Sequence, residues 1–66
     1  MEKTAYVART PYGDFTRTSA RTYTHCVARQ DGWHQFSQSE AAAKREYAYQ
    51  LRRGRTVVIV PAEQAA

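Results

Sequence analysis

The most reactive side chains of the sequence are one thiol and two imidazoles. Cys26 directly follows His25, inside a stretch whose composition is typical of a strand. Because neighbouring residues of a strand point to opposite faces, these two side chains are not expected to form a nucleophile and its base. We expect Cys26 to be a small buried strand residue packed under the helix that is predicted below.

The two imidazoles are candidates for metal binding. His25 and His34 approach each other if the segments on either side of Asp31-Gly32 pair as strands. Two histidines without a nearby acidic residue are too few for a zinc site, and a single cysteine excludes both a thiolate zinc cage and an internal disulfide framework. We therefore expect no bound metal and no cofactor. The lack of disulfides favours a reducing, cytoplasmic compartment.

The carboxylates of the sequence are expected to have local structural roles. Asp14 and Asp31 lie in predicted turns, and Glu40 lies at the predicted start of the helix. No pair of carboxylates is spaced for acid–base catalysis, and the sequence has no glycine-rich phosphate loop, nucleophile elbow or metalloprotease signature. The sequence therefore does not predict an enzyme.

Arginine and tyrosine remain as the candidates for a function. Ten basic residues against six acidic ones give a net charge of +4. Arginine recognises phosphate and carboxylate with a planar fork, and tyrosine adds stacking or interface area. The predicted contact residues recur along the strand region or on the outer side of the helix: Arg17, Arg21, Tyr23, Arg29, Arg45, Tyr49, Arg52 and Arg53. The competing interpretation is an ordinary solvated surface.

Four strand segments are predicted, and they cover residues 4–9, 15–29, 33–36 and 56–60. Turns at residues 10–14 and 30–32 separate the first three. The stretch 15–29 is either one bent strand or two short ones. The last segment is continuously apolar, which indicates burial on both faces or a central place in the sheet.

A helix is predicted over residues 38–53, which contain no glycine, proline or β-branched residue. Ser37 and Glu40 have the spacing of a capping box, and Gly54 stands at the C-terminal cap. The helical period assigns one face to the core: Ala43, Lys44, Tyr47, Ala48 and Leu51. The opposite face carries Arg45, Glu46, Tyr49, Arg52 and Arg53.

The order β-β-β-α-β predicts a single α+β domain over residues 1–66. We expect an antiparallel sheet, built from a three-strand meander and a C-terminal strand, with one α-helix packed on one face. One helix covers only one face, so the other is expected to be open to water or to a partner. No apolar run approaches the roughly 20 residues of a membrane span, so no membrane association is expected.

The segment from Thr10 to His25 resembles a segment of small phage-encoded proteins. These have a similar turn followed by T-R-x-T-x-R-x-Y-T-H, which corresponds here to residues 16–25, with Ser19 at the fourth position of the pattern. The resemblance covers about a quarter of the chain and implies no catalytic residue. In size and in its plan of a sheet with one helix, the protein also resembles several anti-CRISPR proteins of phages and mobile elements.

These resemblances lead to a first hypothesis of a non-catalytic inhibitor. It would bind a host protein or ribonucleoprotein complex, such as a CRISPR-Cas defence complex, through the arginine and tyrosine residues. The alternative is a small basic module that binds DNA or RNA. A third hypothesis is a phage structural or assembly protein that forms a homodimer through the open sheet face or an edge strand, which would enlarge a small core.

Overall fold

Six strands and one helix follow one another in a computed structural model that describes residues 2–65. The elements are β1 (Thr4–Thr10), β2 (Gly13–Ser19), β3 (His25–Arg29), β4 (His34–Ser37), α1 (Glu40–Arg52), β5 (Val57–Pro61) and β6 (Glu63–Gln64). The predicted α+β class with a single helix packed on a sheet is confirmed. Among the described residues, no helix is both long and apolar enough to cross a bilayer.

The first predicted turn joins β1 and β2 into a regular hairpin. Seven consecutive residue pairs run from Thr4 and Ser19 to Thr10 and Gly13. The Thr10 hydroxyl donates to the carbonyl of Gly13 at 2.7 Å and accepts from the backbone N–H of Tyr12 at 3.1 Å. Gly13 has a φ of 118°, a conformation that side chains with a Cβ rarely adopt. Threonine and glycine together therefore fix this turn.

The second predicted turn joins β3 and β4. The Asp31 carboxylate accepts from the backbone N–H of Trp33 at 3.1 Å, and Gly32 has a φ of 99°. The pairing runs from Ala28 and His34 to His25 and Ser37. Both hairpins predicted from the turn residues are thus confirmed.

The strands form two antiparallel sheets of three strands, which differs from the predicted three-strand meander. The outer sheet has the order β2-β1-β6, and the middle sheet has the order β4-β3-β5. The stretch 15–29 is two short strands, the second of the two alternatives, and they lie in different sheets. Between them the Ser19 hydroxyl accepts from the N–H of Arg21, and the ring of Tyr23 is buried. Burying this ring draws the chain from one sheet to the other.

The strand β3 lies at the centre of the molecule because its two faces serve different layers. Cys26 packs with residues of the outer sheet, whereas Val27 packs with the helix. The inter-sheet layer consists of Tyr6, Ala8, Tyr23, Cys26 and Phe36. The helix layer consists of Val27, Ala43 and Val57, with Trp33, Tyr47 and Ile59 packed against them. The face of the middle sheet that was expected to be open is therefore covered by the outer sheet.

The helix begins later than predicted. Ser39, rather than Ser37, is the N-cap, and its hydroxyl accepts from the N–H of Ala42 at 3.1 Å. Ser37 instead ends β4 and is buried. The helix ends at Arg52, and Gly54 has a φ of 76°, as expected for a glycine that follows a helix.

The predicted core face of the helix was wrong along one edge, because Lys44, Ala48 and Leu51 are all exposed. Leu51 is 48% exposed, whereas its neighbour Gln50 is only 5% exposed. Gln50 tolerates burial because its amide donates to Glu46 at 2.8 Å and accepts from Arg29 at 3.4 Å. With Gln50 buried, the inward side of the helix is shifted by one residue from the face expected from hydrophobicity alone, and Leu51 lies outside.

The strand β5 lies at an edge of the middle sheet rather than in its centre. It pairs only with β3, from His25 and Pro61 to Arg29 and Val57. Its two faces are nevertheless both packed, with Val57 in the helix layer and Val60 against the inter-sheet layer. Of the two interpretations of this apolar run, burial on both faces is confirmed and a central position is wrong.

Candidate functional site

Two of the predicted contact residues lie at the inter-sheet layer. Tyr23 belongs to it, and Arg17 covers it. Tyr23 is 6% exposed, and its ring centre lies 5.4 Å from Tyr6 and 5.6 Å from Phe36. The guanidinium carbon of Arg17 lies 5.4 Å from the centre of the Tyr23 ring. Because this ring is packed between two others, Tyr23 does not belong to an exposed surface, and the structure gives its predicted role as a contact residue no support. Arg17 shields this ring by a cation–π contact.

Arg29 connects the second hairpin to the helix. It forms a salt bridge with Asp31 at 2.6 Å, with a second hydrogen bond from its Nε at 3.2 Å. Its guanidinium carbon lies 5.1 Å from the ring centre of Trp33, and one nitrogen donates to Gln50. The hydrogen bonds from Arg29, followed by that from the N–H of Trp33, lower the pKa of Asp31 to about 2. The guanidinium of Arg29 thus already has partners within the protein: Asp31, Trp33 and Gln50.

Arg21 lies apart from the other predicted contact residues. It is exposed in the connection between β2 and β3. The middle sheet separates the group around Arg17, which lies with the outer sheet, from the arginines of the helix. The structure therefore does not bring all the predicted residues into one site.

The predicted contact residues on the helix form a continuous exposed surface. Arg45, Tyr49 and Arg52 are exposed at the predicted spacing of four and three residues, and Tyr49 is 46% exposed. Arg53 lies over the Tyr49 ring at 5.6 Å and donates to its hydroxyl at 3.3 Å. We call this surface the outer helix face; its residues are Arg45, Ala48, Tyr49, Leu51, Arg52 and Arg53.

The acidic groups near the helix are already occupied. Asp31 pairs with Arg29, Glu40 pairs with Lys44 at 3.0 Å, and Glu46 accepts from Gln50. The hydrogen bond and the charge of Lys44 lower the pKa of Glu40. On the helix and in the connection that follows it, four exposed arginines form no salt bridge within residues 2–65: Arg45, Arg52, Arg53 and Arg55. The positive charge of this end of the molecule is thus available to a partner.

A cleft next to the end of the helix was not predicted. It lies between the β3–β4 turn and the connection from α1 to β5, and its volume is about 340 Å³. We call it the helix-end cleft; its lining residues are Arg29, Gln30, Asp31, Gly54, Arg55 and Thr56. The run Arg52-Arg53-Gly54-Arg55 was the available sequence signal, because a basic run broken by glycine places charge on a loop as well as on the helix.

The thiol and the imidazoles are separated in the structure. Cys26 is fully buried in the inter-sheet layer rather than under the helix, and burial raises its pKa to about 11. His25 and His34 do not face each other, since His25 pairs with Ser37 and His34 with Ala28. His34 instead stacks on Phe15 of the outer sheet at 4.2 Å. The described residues contain no group of three side chains arranged to hold a metal ion.

Comparison of the chain with known protein families, with curated proteins and with solved structures finds no match.

Proposed function

We propose that the protein is a non-catalytic binding protein that docks through its outer helix face on an acidic patch of a partner protein. The observation that carries the proposal is the exposure of Leu51 and Tyr49 among arginines that lack ion pairs. Protein interfaces combine apolar and aromatic side chains with arginine, whereas lysine and acidic residues are depleted at their centres. The outer helix face has this composition.

The positions of the small and apolar residues also favour a protein partner. Ala48 lies one helical turn from Leu51, Arg45 and Arg52, so the backbone of a partner can approach closely between longer side chains. Leu51 gains stability from burial against apolar groups, and a phosphate backbone offers none. An acidic rim on the partner would pair with the arginines around this centre.

We extend the proposal to a phage or mobile-element inhibitor that binds a host complex, such as a CRISPR-Cas defence complex in the cytoplasm. This part rests on the resemblance of the Thr10–His25 segment to phage-encoded proteins. In the structure that segment builds the first turn, β2 and the Tyr23 packing. We therefore assign partner contact to the outer helix face and not to the segment that carries the resemblance.

The test is capture of the host complex by the immobilised protein from nuclease-treated host lysate, with mass spectrometry of the bound proteins. The double variant Arg45→Glu with Arg52→Glu should lose the captured complex and keep its circular dichroism spectrum. Lys3→Glu with Arg9→Glu is the matched control, because each charge reversal removes two units and both double variants change +4 to 0. Equal loss in both variants, or unchanged capture in both, contradicts the assignment.

A nucleic-acid-binding module is the second candidate, and the four arginines without ion pairs on and after the helix favour it. The outer sheet does not support this function. The face of that sheet turned away from Tyr6 and Ala8 is nearly neutral and consists of Ala5, Val7, Arg9, Asp14, Thr16, Thr18 and Glu63. A duplex would have to bind the helix end of the molecule.

The salt dependence of duplex binding tests this second candidate. For phosphate contacts, the logarithm of the association constant falls by about 0.9 per contact with the logarithm of salt concentration. Fluorescence anisotropy of a labelled duplex at several salt concentrations measures this slope. Micromolar binding with a slope of several contacts would replace the first proposal, and no binding at low salt removes the second.

A further inference from the structure

The helix-end cleft has a rigid floor. The backbone N–H of Gln30 donates to the carbonyl of Thr56 at 3.1 Å, which ties the two connections that form the cleft. The N–H of Arg55 donates to the carbonyl of Gln50 at 3.1 Å, which fixes the second connection to the last turn of the helix. Beside Gly54, the space that a Cβ would occupy has no neighbouring atom within 4 Å. Backbone hydrogen bonds thus hold the two connections that form the cleft, and the cleft is open beside Gly54.

The charges that line the cleft are unequal. Arg29 and Arg55 are positive and Asp31 is negative, so these three groups sum to +1. Asp31 remains ionised near neutral pH, because its pKa is about 2. Arg29 is neutralised by Asp31, whereas Arg55 forms no salt bridge among the described residues. The unmatched charge thus belongs to Arg55, and one monovalent anion would balance it.

We infer that the helix-end cleft binds a single side-chain carboxylate of the acidic partner, held by the guanidinium of Arg55. This inference rests on the proposed function and adds an anchor point beside the outer helix face. The planar fork of arginine matches a carboxylate with two parallel hydrogen bonds. Gln30 and Thr56 also line the cleft, and their side chains carry an amide and a hydroxyl, which are groups that can donate to a carboxylate oxygen.

A carboxylate fits the cleft better than the backbone of a nucleic acid. A nucleic acid would bring further phosphates next to Asp31 and next to the carboxyl end of the helix, both of which repel negative charge. A side-chain carboxylate brings one charge, and the apolar part of the same partner can cover Leu51. The binding of small anions by the isolated protein distinguishes the two.

The experiment is a titration of the full chain with acetate, with dimethyl phosphate and with chloride at constant ionic strength. Two signals are followed: the amide and guanidinium resonances of Gln30, Arg55 and Thr56, and the fluorescence of Trp33. Trp33 is the only tryptophan and lies against Arg29 at the side of the cleft. Acetate should shift these signals with saturation, and chloride should not.

Arg55→Gln should raise the dissociation constant of acetate roughly tenfold, because a charge-assisted pair of hydrogen bonds is lost. Arg9→Gln is the control, since Arg9 lies on the outer sheet and should leave the constant unchanged. Tighter saturation by dimethyl phosphate than by acetate would overturn the carboxylate assignment in favour of nucleic acid. The absence of any saturable shift overturns the site itself. Neither outcome depends on the outer helix face, whose own test is the capture experiment.

Discussion

The two faces of the middle sheet are covered in different ways. The inter-sheet layer contains three aromatic rings, and that of Tyr23 packs against those of both Tyr6 and Phe36. The helix layer has a buried centre of two valines and one alanine, and polar groups support it at Gln50. Aromatic packing thus joins the outer sheet to the middle sheet, whereas hydrogen bonds of a buried polar residue accompany the packing of the helix.

This difference explains why the proposed binding surface lies on the helix. A helix with a shallow apolar stripe does not bury all its large side chains, so Leu51 and Tyr49 stay outside. The aromatic residues of the strand region are used by the fold.

Removal of a ring from the inter-sheet layer should have the largest effect. Tyr23→Ala should lower the free energy of unfolding by about 3–5 kcal/mol, the range found for large aromatic side chains in cores. A domain of this size has a total stability of only about 3–10 kcal/mol, so much of this variant should be unfolded. Urea denaturation followed by circular dichroism measures the change.

The control for this ring is Tyr49→Ala on the outer helix face. It should change the free energy of unfolding by no more than about 0.5 kcal/mol, as for most exposed positions. If Tyr23→Ala does not fold, Tyr23→Leu keeps part of the buried area and should give an intermediate, measurable loss. Similar costs for Tyr23→Ala and Tyr49→Ala would show that the inter-sheet layer is not the main core.

Substitution of the polar Gln50 should cost more stability than substitution of the neighbouring apolar Leu51, which is the reverse of what hydrophobicity suggests. Gln50→Ala should cost about 1–2 kcal/mol, because it removes one partner of buried hydrogen bonds to Glu46 and Arg29. Leu51→Ala should cost less than about 0.5 kcal/mol, since Leu51 is largely exposed. Urea midpoints of the two variants give the comparison. A larger cost for Leu51→Ala would restore the helix face predicted from hydrophobicity.

The smallest effect is a pH dependence that belongs to the Arg29–Asp31 pair. The pKa of Asp31 is about 2 in the folded protein and 3.8 in the absence of its partners. Its contribution to stability is therefore complete above about pH 4 and is lost as the pH falls toward 2. Asp31→Asn should remove this part of the decline while the Asn-Gly turn is kept.

Thermal midpoints between pH 5 and pH 2 for the wild type and for Asp31→Asn measure this contribution. The lowered pKa of Glu40 adds a decline of the same sign, which is common to both proteins and cancels in the difference. Asp14→Asn removes the same charge elsewhere and is the matched control. A constant difference between the wild type and Asp31→Asn over this pH range contradicts a stabilising pair.

The local elements were predictable from the sequence because their signals are local. Thr10, Gly13 and the Asp31-Gly32 pair determine two hairpins through short-range hydrogen bonds and glycine conformations. The helix was found from its composition and its cap, with an error of two residues at its start. The division into two sheets was not predictable, since it depends on where the Tyr23 ring finds other rings.

The candidate site was predicted only where its signals are local in the sequence. Helical spacing alone placed Arg45, Tyr49 and Arg52 on one exposed face. The roles of Arg17 and Arg29 depend on contacts with Tyr23, Asp31 and Trp33, and the periodicity of a single strand does not reveal such contacts. The helix-end cleft involves two connections that are far apart in the sequence, and the pairing of β3 with β5 and the hydrogen bond from Gln30 to Thr56 bring them together.

The central position of β3 has a consequence for how such a protein can change over generations. Cys26, Val27 and Ala28 are all fully buried, and the layers on the two sides both depend on them, so almost any substitution there disturbs the fold. The side chains on the exposed side of the helix do not support either layer. Over generations, residues such as Ala48, Leu51 and Arg52 can therefore be exchanged at little cost in stability, whereas Cys26, Val27 and Ala28 cannot.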